Sequence, residues 1–142
     1  MRICDIMSEN VITVGQDEPV SAAARMLKQH NIGALPVCDS TEKLRGIVTD
    51  RDIVMRCVAP GHDPKQMRVS EVMTRGVITA EPDDGIGRAV RLMSEDQVRR
   101  LPIVDNGKLV GIVSLCDMAR TDNCEMEASE ALVEISSNIR RK

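Results

Sequence analysis

The chain has 142 residues, a length that fits one compact domain or two small halves that share one core. It contains no Trp, Tyr or Phe, so it lacks the aromatic side chains on which single-stranded nucleic acids stack. Its formal net charge of −3 argues against broad electrostatic attraction to DNA or to an anionic membrane, and we expect neither a nucleic-acid nor a membrane partner.

The start of the chain and its cysteines indicate a cytoplasmic protein. Asp5 and the polar residues that follow Met7 leave no apolar stretch for a signal peptide, and no later segment has the roughly 20 apolar residues that cross a bilayer. The five cysteines form no Cys-x-x-Cys pair, which is typical of reduced thiols in a reducing compartment. His30 and His62 stand alone in the sequence, so we expect no metal site and no bound cofactor.

The chain is a repeat of itself. The aligned segments are residues 3–7 with 69–73, 11–13 with 77–79, 35–36 with 101–102, and 46–48 with 111–113. Residue 7 aligns with residue 73, an offset of 66 that falls to 65 after a one-residue deletion at Asn106-Gly107. Because the only gap falls in a predicted turn, chance is a poor explanation for the match. We therefore divide the chain into a first repeat (1–62), a second repeat (63–121) and a C-terminal segment (122–142).

Both copies predict the same succession of helices and strands. The predicted segments are residues 4–7 and 70–73 for a helical turn, 11–14 and 77–80 for a first strand, 34–38 and 101–104 for a second, and 46–49 and 111–114 for a third. A helix lies between the first two strands, and its apolar face consists of Val20, Ala23, Ala24 and Leu27, or of Ile86, Ala89, Val90 and Met93. A second helix begins near Asp50 and near Leu115. The pattern predicts a mixed α+β fold.

The C-terminal segment is predicted to form an amphipathic helix over residues 123–140. Asp122 and Glu125 resemble a capping pair at its start. Its apolar positions recur at helical spacing and are Ala131, Leu132, Ile135 and Ile139. This stripe packs either on its own module or on a second subunit, and the sequence does not choose between them.

A hydroxyl residue followed three positions later by an aspartate ends the third strand of each copy, as Thr49 with Asp52 and as Ser114 with Asp117. One interpretation is a capping box, in which the two side chains and the two backbone N–H groups pair reciprocally. The other is a ligand site, because a helix start attracts a phosphate and a carboxylate can accept both hydroxyls of a ribose. The two interpretations are compatible.

Together the repeat, the Leu-Pro strands and the Gly-x-x-Thr/Ser-x-x-Asp endings resemble the CBS domain, and two tandem copies resemble a CBS pair, or Bateman module. The resemblance covers about residues 3–120. It implies a β-α-β-β-α unit in each half, packing of the halves about a pseudo-twofold axis, and frequent homodimerisation. It also implies two clefts that, in many members, bind AMP, ADP, ATP or S-adenosylmethionine.

In the family pattern each cleft combines the hydroxyl and ribose aspartate of one repeat with an adenine-lining strand of the other. Carried over to this sequence, one cleft takes Thr49 and Asp52 with Val77, Ile78 and Thr79, and the other takes Ser114 and Asp117 with Val11, Ile12 and Thr13. The alternative for the two Val-Ile-Thr segments is ordinary strand core.

Basic residues distinguish the two copies. Arg99 and Arg100 precede the Leu-Pro strand of the second repeat, and Arg51 lies between Thr49 and Asp52. Family members that bind nucleotide phosphates often carry basic residues before this strand, so the resemblance implies phosphate contacts in the Thr49 cleft. That cleft is then expected to favour a phosphorylated adenosine, and the Ser114 cleft to be empty or to take a less anionic ligand. The alternative is that the arginines are simply solvated.

These residues bear on four possible functions. The leading hypothesis is a non-enzymatic regulatory sensor that binds an adenosine-containing ligand, forms a homodimer and acts on a protein partner in trans. The main alternative is a ligand-independent homodimeric scaffold. An enzyme is not expected, because no Gly-x-Ser-x-Gly, His-Glu-x-x-His or P-loop sequence is present. Cys116 lies near a predicted helix start, where a thiol can be activated, but we expect it to be buried and inert. Nucleic-acid binding has only Arg99-Arg100 and the C-terminal triplet Arg140-Arg141-Lys142 in its favour.

Overall fold

The structure, a computed structural model, describes residues 1–119, 132, 133 and 135. The chain divides into two compact units, which we call the continuous unit, Ile12–Val77, and the split unit, Met1–Val11 with Ile78–Lys142. These units differ from the sequence repeats, because the turn that opens each repeat belongs to the unit built mainly from the other repeat. The repeat boundaries at 1–62 and 63–121 describe the sequence and stay predictions.

The continuous unit contains a three-stranded sheet and two helices. Its elements are β1 (Val14–Gly15), α1 (Val20–His30), β2 (Ala34–Cys38), β3 (Leu44–Thr49), α2 (Asp50–Ile53) continued by a π-helical turn (Val54–Val58), and a 3-10 turn (Val69–Glu71). The strand β2 lies in the middle, parallel to β1 and antiparallel to β3. Its residues Leu35 and Val37 are fully buried, as expected of a central strand.

The split unit repeats this architecture with a sheet of two strands instead of three. Its elements are a 3-10 turn (Ile3–Asp5), α3 (Ile86–Asp96), β4 (Arg100–Asp105), β5 (Lys108–Ser114) and α4 (Leu115–Ala119). The strands β4 and β5 are antiparallel, and Ala80 forms a parallel bridge to Ile103 where β1 pairs with β2 in the other unit. Mixed helices and strands in this order confirm the predicted fold class.

Each unit has its own apolar core, and the predicted helix faces supply part of it. The buried helix positions are Val20, Ala23 and Leu27 of α1 and Ile86, Ala89 and Met93 of α3. The remaining predicted face residues, Ala24 and Val90, are half-buried and pack at the margins of these cores. The 3.6-residue periodicity therefore identified the buried side of both helices correctly.

The first predicted strand of each repeat is shorter than expected. Residues 11–13 and 77–79 are irregular, and ladder pairing begins only at Val14 in one unit and at Ala80 in the other. The Val-Ile-Thr composition favours an extended backbone, but a strand also needs a neighbouring strand to pair with. Because β2 offers partners only to Val14 and Gly15, the preceding residues form no ladder.

One described residue of the C-terminal segment is part of a core. Ile135 is 1% exposed and belongs to the core of the split unit. This position therefore packs on its own module rather than on a second subunit. Leu132 and Val133 are also helical but are 43% and 65% exposed. The other predicted features of this helix, Ala131, Ile139 and the Asp122–Glu125 pair among them, lie outside the described residues.

In each unit, two residues that follow the 3-10 turn pack against the last strand of the sheet. We call these residues the turn segment, Met73–Thr74 in the continuous unit and Met7–Ser8 in the split unit. In the continuous unit, Ile47 and Thr74 exchange both main-chain hydrogen bonds, at 3.0 and 2.8 Å. In the split unit, Ile112 and Ser8 do the same, at 3.0 and 2.8 Å. Each pair closes a main-chain ladder next to a glycine, which brings the turn segment into close contact with the strand.

The glycine beside each pair has no room for a side chain. A Cβ atom on Gly46 would lie 2.6 Å from the main-chain oxygen of Thr74 and 3.0 Å from Sδ of Met73. A Cβ atom on Gly111 would lie 2.6 Å from Sδ of Met7. The glycines of the two Gly-Ile-Val segments are therefore explained by the close approach of the turn segments.

The two β-hairpins turn by different means. Asn106 and Gly107 join β4 to β5 with positive φ angles of 52° and 81°, the conformation predicted for an Asn-Gly hairpin turn. The longer turn between β2 and β3 is organised by the side chain of Asp39. Its Oδ1 accepts bonds from the Thr41 hydroxyl at 2.6 Å and the Thr41 N–H at 2.8 Å, and its Oδ2 accepts one from the Arg45 side chain at 2.7 Å.

These contacts hold the pKa of Asp39 well below its usual range. The Thr41 hydroxyl bond is the largest cause, and the bonds from the Arg45 side chain and from the N–H groups of Thr41 and Lys43 add to it, against a partial burial that acts in the opposite direction. All of these donors stabilise the charged carboxylate. The contacts of the turn are therefore stronger while Asp39 is ionised.

The Gly46→Ala substitution should destabilise the protein by about 1–3 kcal/mol, because the new methyl group meets a main-chain oxygen that can move only with its segment. Gly87→Ala is a matched control: a Cβ there meets no atom within 4 Å, and alanine favours the helix, so it should stabilise by about 0.5–1 kcal/mol. Urea unfolding followed by circular dichroism measures both. Equal stability of Gly46→Ala and the parent would contradict the close approach.

The Asp39→Asn substitution should lower the free energy of unfolding at neutral pH and lose this effect in acid. Because the folded pKa lies below the unfolded one, Asp39 stabilises the fold above about pH 4 and loses this contribution as the pH falls further. Urea unfolding of parent and variant at a series of pH values tests this. Thr41→Val should show a smaller effect of the same sign, and a difference that does not depend on pH would contradict the assignment.

Candidate functional site

The start of α2 is a reciprocal capping box. Thr49 ends β3 with an extended backbone, and its Oγ1 accepts the N–H of Asp52 at 3.0 Å. In return, Oδ2 of Asp52 accepts the N–H of Thr49 at 3.0 Å. The predicted capping interpretation is therefore confirmed for this pair. The same bonds fix the orientation of the carboxylate relative to the helix start.

The split unit builds the same device at the start of α4. The N–H of Ser114 donates to Oδ2 of Asp117 at 3.0 Å, and the N–H of Asp117 donates to Oγ of Ser114 at 3.1 Å. Asp52 and Asp117 are both half-buried. Two units with different local sequences thus hold an aspartate in matching positions, as the aligned motif predicted.

Asp52 has further partners that the sequence motif does not contain. The hydroxyl of Thr74 donates to Oδ1 of Asp52 at 3.2 Å and lies 3.5 Å from Oδ2. Nη1 of Arg56 lies 4.0 Å from Oδ1. The Asp52 side chain is only 12% exposed.

Arg56 is anchored chiefly by main-chain oxygens. Its Nη1 donates to the carbonyl oxygens of Val72 and Met73, both at 2.9 Å. Arg56 and Thr74 can each be found from a feature of the sequence. Arg56 lies four positions after Asp52 on a helix, a spacing at which side chains meet. Thr74 aligns with Ser8, and both are hydroxyl residues that directly follow a methionine.

The predicted phosphate-binding arginines are exposed. Arg51 lies in the first turn of α2 beside the capping box. Arg100 pairs with Ser114 across β4 and β5, and the carbonyl of Arg99 accepts the N–H of Leu115 at 3.0 Å. Both arginines therefore lie next to the helix start of their own unit. Their predicted role toward Thr49 and Asp52 involves residues of both units and stays a prediction.

The two Val-Ile-Thr segments contribute to core packing. The half-buried residues are Val11, Ile12 and Thr13 in one segment and Val77, Ile78 and Thr79 in the other. Ile12 packs against the core of the continuous unit, and Ile78 packs against that of the split unit. The core interpretation therefore holds for the two isoleucines, and a role for the segments in adenine binding stays a prediction.

The described cysteines form no disulfide, and they differ in exposure. Cys57 is buried, Cys4 and Cys38 are half-buried, and Cys116 is exposed. The expectation that Cys116 is buried was wrong, because Leu115 and Met118 take the buried face of α4 and turn Cys116 outward. Burial raises the pKa of the Cys38 thiol, and the nearby carboxylates of Asp39 and Glu42 raise it further. Cys124 lies outside the described residues.

Within residues 1–119, 132, 133 and 135, no three His, Cys, Asp or Glu side chains are grouped so that they could hold a metal ion. Within the same residues, no helix combines the length and apolar character needed to cross a membrane.

Comparison with known proteins supports the internal repeat. The family model for the CBS domain matches residues 3–59 and 69–122. The CBS domain-containing protein YhcV of Bacillus subtilis is 43% identical to the chain over 132 residues, which cover 93% of each protein. The similarity therefore extends over nearly the whole length of a protein that is named for this domain alone.

Solved structures show the same fold. The crystal structure of Hypoxic Response Protein I with two coordinated zinc ions is 38% identical, with a TM-score of 0.79 over 85% of this chain and 98% of that one. The CBS domain pair of protein MJ0100, in complex with 5′-methylthioadenosine and S-adenosyl-L-methionine, is 35% identical, with a TM-score of 0.72 over 84% and 98% of the two chains. The chain belongs to the CBS domain family and carries two copies of the domain in tandem.

Proposed function

We propose that this protein is a regulatory module that binds an adenosine-containing ligand, such as AMP, ADP, ATP or S-adenosylmethionine, and acts on a protein partner in trans. In this proposal Asp52 and Asp117 accept the ribose hydroxyls. The observation that carries the proposal is the matched geometry of these two carboxylates, each held at a helix start by a hydroxyl residue three positions earlier.

An ionised carboxylate suits the two hydroxyls of a ribose. It offers two oxygens with about four acceptor positions and donates nothing, so it can accept two neighbouring O–H groups. The backbone N–H of Thr49 occupies one position on Asp52, and that of Ser114 occupies one on Asp117. The complex of the related MJ0100 pair with two adenosine compounds supports this choice of ligand class.

Exposed arginines favour an anionic form of the ligand. Arg51 lies two residues after Thr49, and Arg99 and Arg100 directly precede the second Leu-Pro pair. Guanidinium groups bind phosphate oxygens through paired N–H donors. We therefore propose a phosphorylated adenosine for the site of Thr49 and Asp52, with Arg51, Arg99 and Arg100 as phosphate contacts. The position of Arg51 is taken by uncharged Cys116 beside Asp117, which suits a less anionic ligand or none.

An exposed apolar helix surface supports a homodimer. Val54, Met55 and Val58 lie in the π-helical turn after α2 and are 52%, 54% and 59% exposed. Three large apolar residues on one short helical segment are typical of an interaction surface. A second copy of the chain presents the same surface, and a twofold dimer would bury both.

A ligand-independent scaffold is the second candidate. Both capping boxes are complete without a ligand, so the two aspartates already stabilise helix starts. In this alternative the dimer alone is the function. The two candidates differ in a single measurable property, the affinity for adenosine compounds.

The Asp52→Asn and Asp117→Asn substitutions should weaken adenosine binding by about tenfold or more at their own sites, because each removes a charged acceptor of ribose hydroxyls. Isothermal titration calorimetry with AMP, ATP and S-adenosylmethionine measures this directly. Asparagine keeps one oxygen for the backbone N–H, so the helix starts should be retained.

Glu18→Gln and Asp84→Asn serve as matched controls. Their carboxylates also accept a backbone N–H three residues earlier, from Gly15 at 2.6 Å and from Glu81 at 2.9 Å. These variants should bind as the parent does. Absence of heat with all three ligands, or equal affinities of the parent and both aspartate variants, would favour the scaffold.

The Met55→Asp substitution should dissociate the dimer, because a charge in an apolar interface is costly to bury. Analytical ultracentrifugation of the full chain over a range of concentrations should show a dimer for the parent and a monomer for the variant. Gln66→Asp, at an exposed loop position, should leave the dimer intact. A parent that sediments as a monomer, or a Met55→Asp variant that remains dimeric, would contradict this surface.

A further inference from the structure

We propose that the Thr74 hydroxyl competes with a ribose hydroxyl for an acceptor position on Asp52, and that Arg56 holds the Thr74 segment in place. On binding, a ribose hydroxyl replaces the Thr74 hydroxyl on the carboxylate. Thr74 thereby sets the affinity of the site without being required for it. This inference rests on the proposed function, since it concerns the carboxylate assigned there to the ribose.

The Thr74 hydroxyl lies where a ribose hydroxyl would bind. It donates to Oδ1 of Asp52 at 3.2 Å and lies 3.5 Å from Oδ2, so it stands near both carboxylate oxygens. A ribose diol needs both of these oxygens. Since the Asp52 side chain is only 12% exposed, a ligand that reaches it has to displace a group that covers it.

Thr74 is a group that can leave this position at low cost. The residue is exposed, so its side chain supports no apolar core. Its main chain is held independently, by the exchange of two hydrogen bonds with Ile47 at 2.8 and 3.0 Å. A change of the Thr74 side-chain rotamer therefore opens the carboxylate while the backbone stays in place.

Arg56 holds the main chain directly before Thr74. Nη1 of Arg56 donates to the carbonyl oxygens of Val72 and Met73 at 2.9 Å, and the side chains of these two residues are buried. The same nitrogen lies 4.0 Å from Oδ1 of Asp52. Arg56 is therefore a positioning residue, which aligns Thr74 with the carboxylate through the main chain of residues 72–73.

Calorimetry of the full chain with AMP and with 2′,3′-dideoxy-AMP tests the inference, in an Asp117→Asn background that leaves the Asp52 site to report. Thr74→Val removes the competing hydroxyl with little change in shape. It should tighten AMP binding by about three- to tenfold, the net effect of one ordinary hydrogen bond, and leave dideoxy-AMP unchanged. Thr74→Ser keeps the hydroxyl and should bind both nucleotides as the parent does.

Arg56→Lys provides a second variant that keeps the charge but has a shorter side chain without Nη1, the nitrogen that donates to both carbonyl oxygens. It should loosen Thr74 and shift the ratio of AMP to dideoxy-AMP affinity in the same direction as Thr74→Val. A role for Arg56 in stability alone would change the unfolding midpoint and leave this ratio at the parent value, which would overturn the positioning role.

Three results separate this inference from the proposed function. Weaker AMP binding by Thr74→Val, or an equal gain for AMP and dideoxy-AMP, would show that Thr74 does not compete with the ribose and would overturn the inference. AMP binding that needs Asp52 and ignores Thr74→Val would overturn the inference and leave the proposed function standing. Absence of binding of AMP, ATP and S-adenosylmethionine alike by the parent would overturn both.

Discussion

The close approach of a turn segment to the last strand of each unit is the contact on which the rest of the structure depends. Ile47 with Thr74, and Ile112 with Ser8, exchange both main-chain hydrogen bonds. A glycine beside each pair makes the approach possible. Because each turn segment comes from the opposite sequence repeat, neither repeat builds its compact unit alone. The contribution of a turn segment by the opposite repeat explains why the structural units and the sequence repeats have different boundaries.

The turn segment of the continuous unit also supplies groups that surround the candidate ligand site at Asp52. The hydroxyl residue and the aspartate of the capping box lie three positions apart in sequence, so their contact forms locally where a strand runs into a helix. The turn segment, with Val72 before it, then adds Thr74 and the carbonyl oxygens that hold Arg56. The carboxylate of Asp52 therefore has one partner within the capping box and another in the turn segment. The stabilising role of Asp52 and its proposed role in ligand binding are compatible, because they use different lone pairs of the same carboxylate.

The two units share their backbone plan and differ in the charge around it. Arg51 of the continuous unit corresponds to Cys116 of the split unit, and both are exposed. Duplication preserved the interactions that fold each unit, namely the caps, the glycines and the buried helix faces. The exposed positions carry no such constraint, so they are where two sites of common origin can differ in ligand.

The sequence by itself determined the features that depend on neighbours along the chain. Repeat alignment, helical periodicity, the Asn106-Gly107 turn and the two capping boxes each involve residues a few positions apart, so composition and spacing were sufficient. Only the tertiary structure decided the pairing partners. It shortened the predicted strands at residues 11–14 and 77–80, placed Ile135 in a core and turned Cys116 outward. It also brought Thr74 to Asp52 across 22 residues, a separation over which spacing identifies no partner.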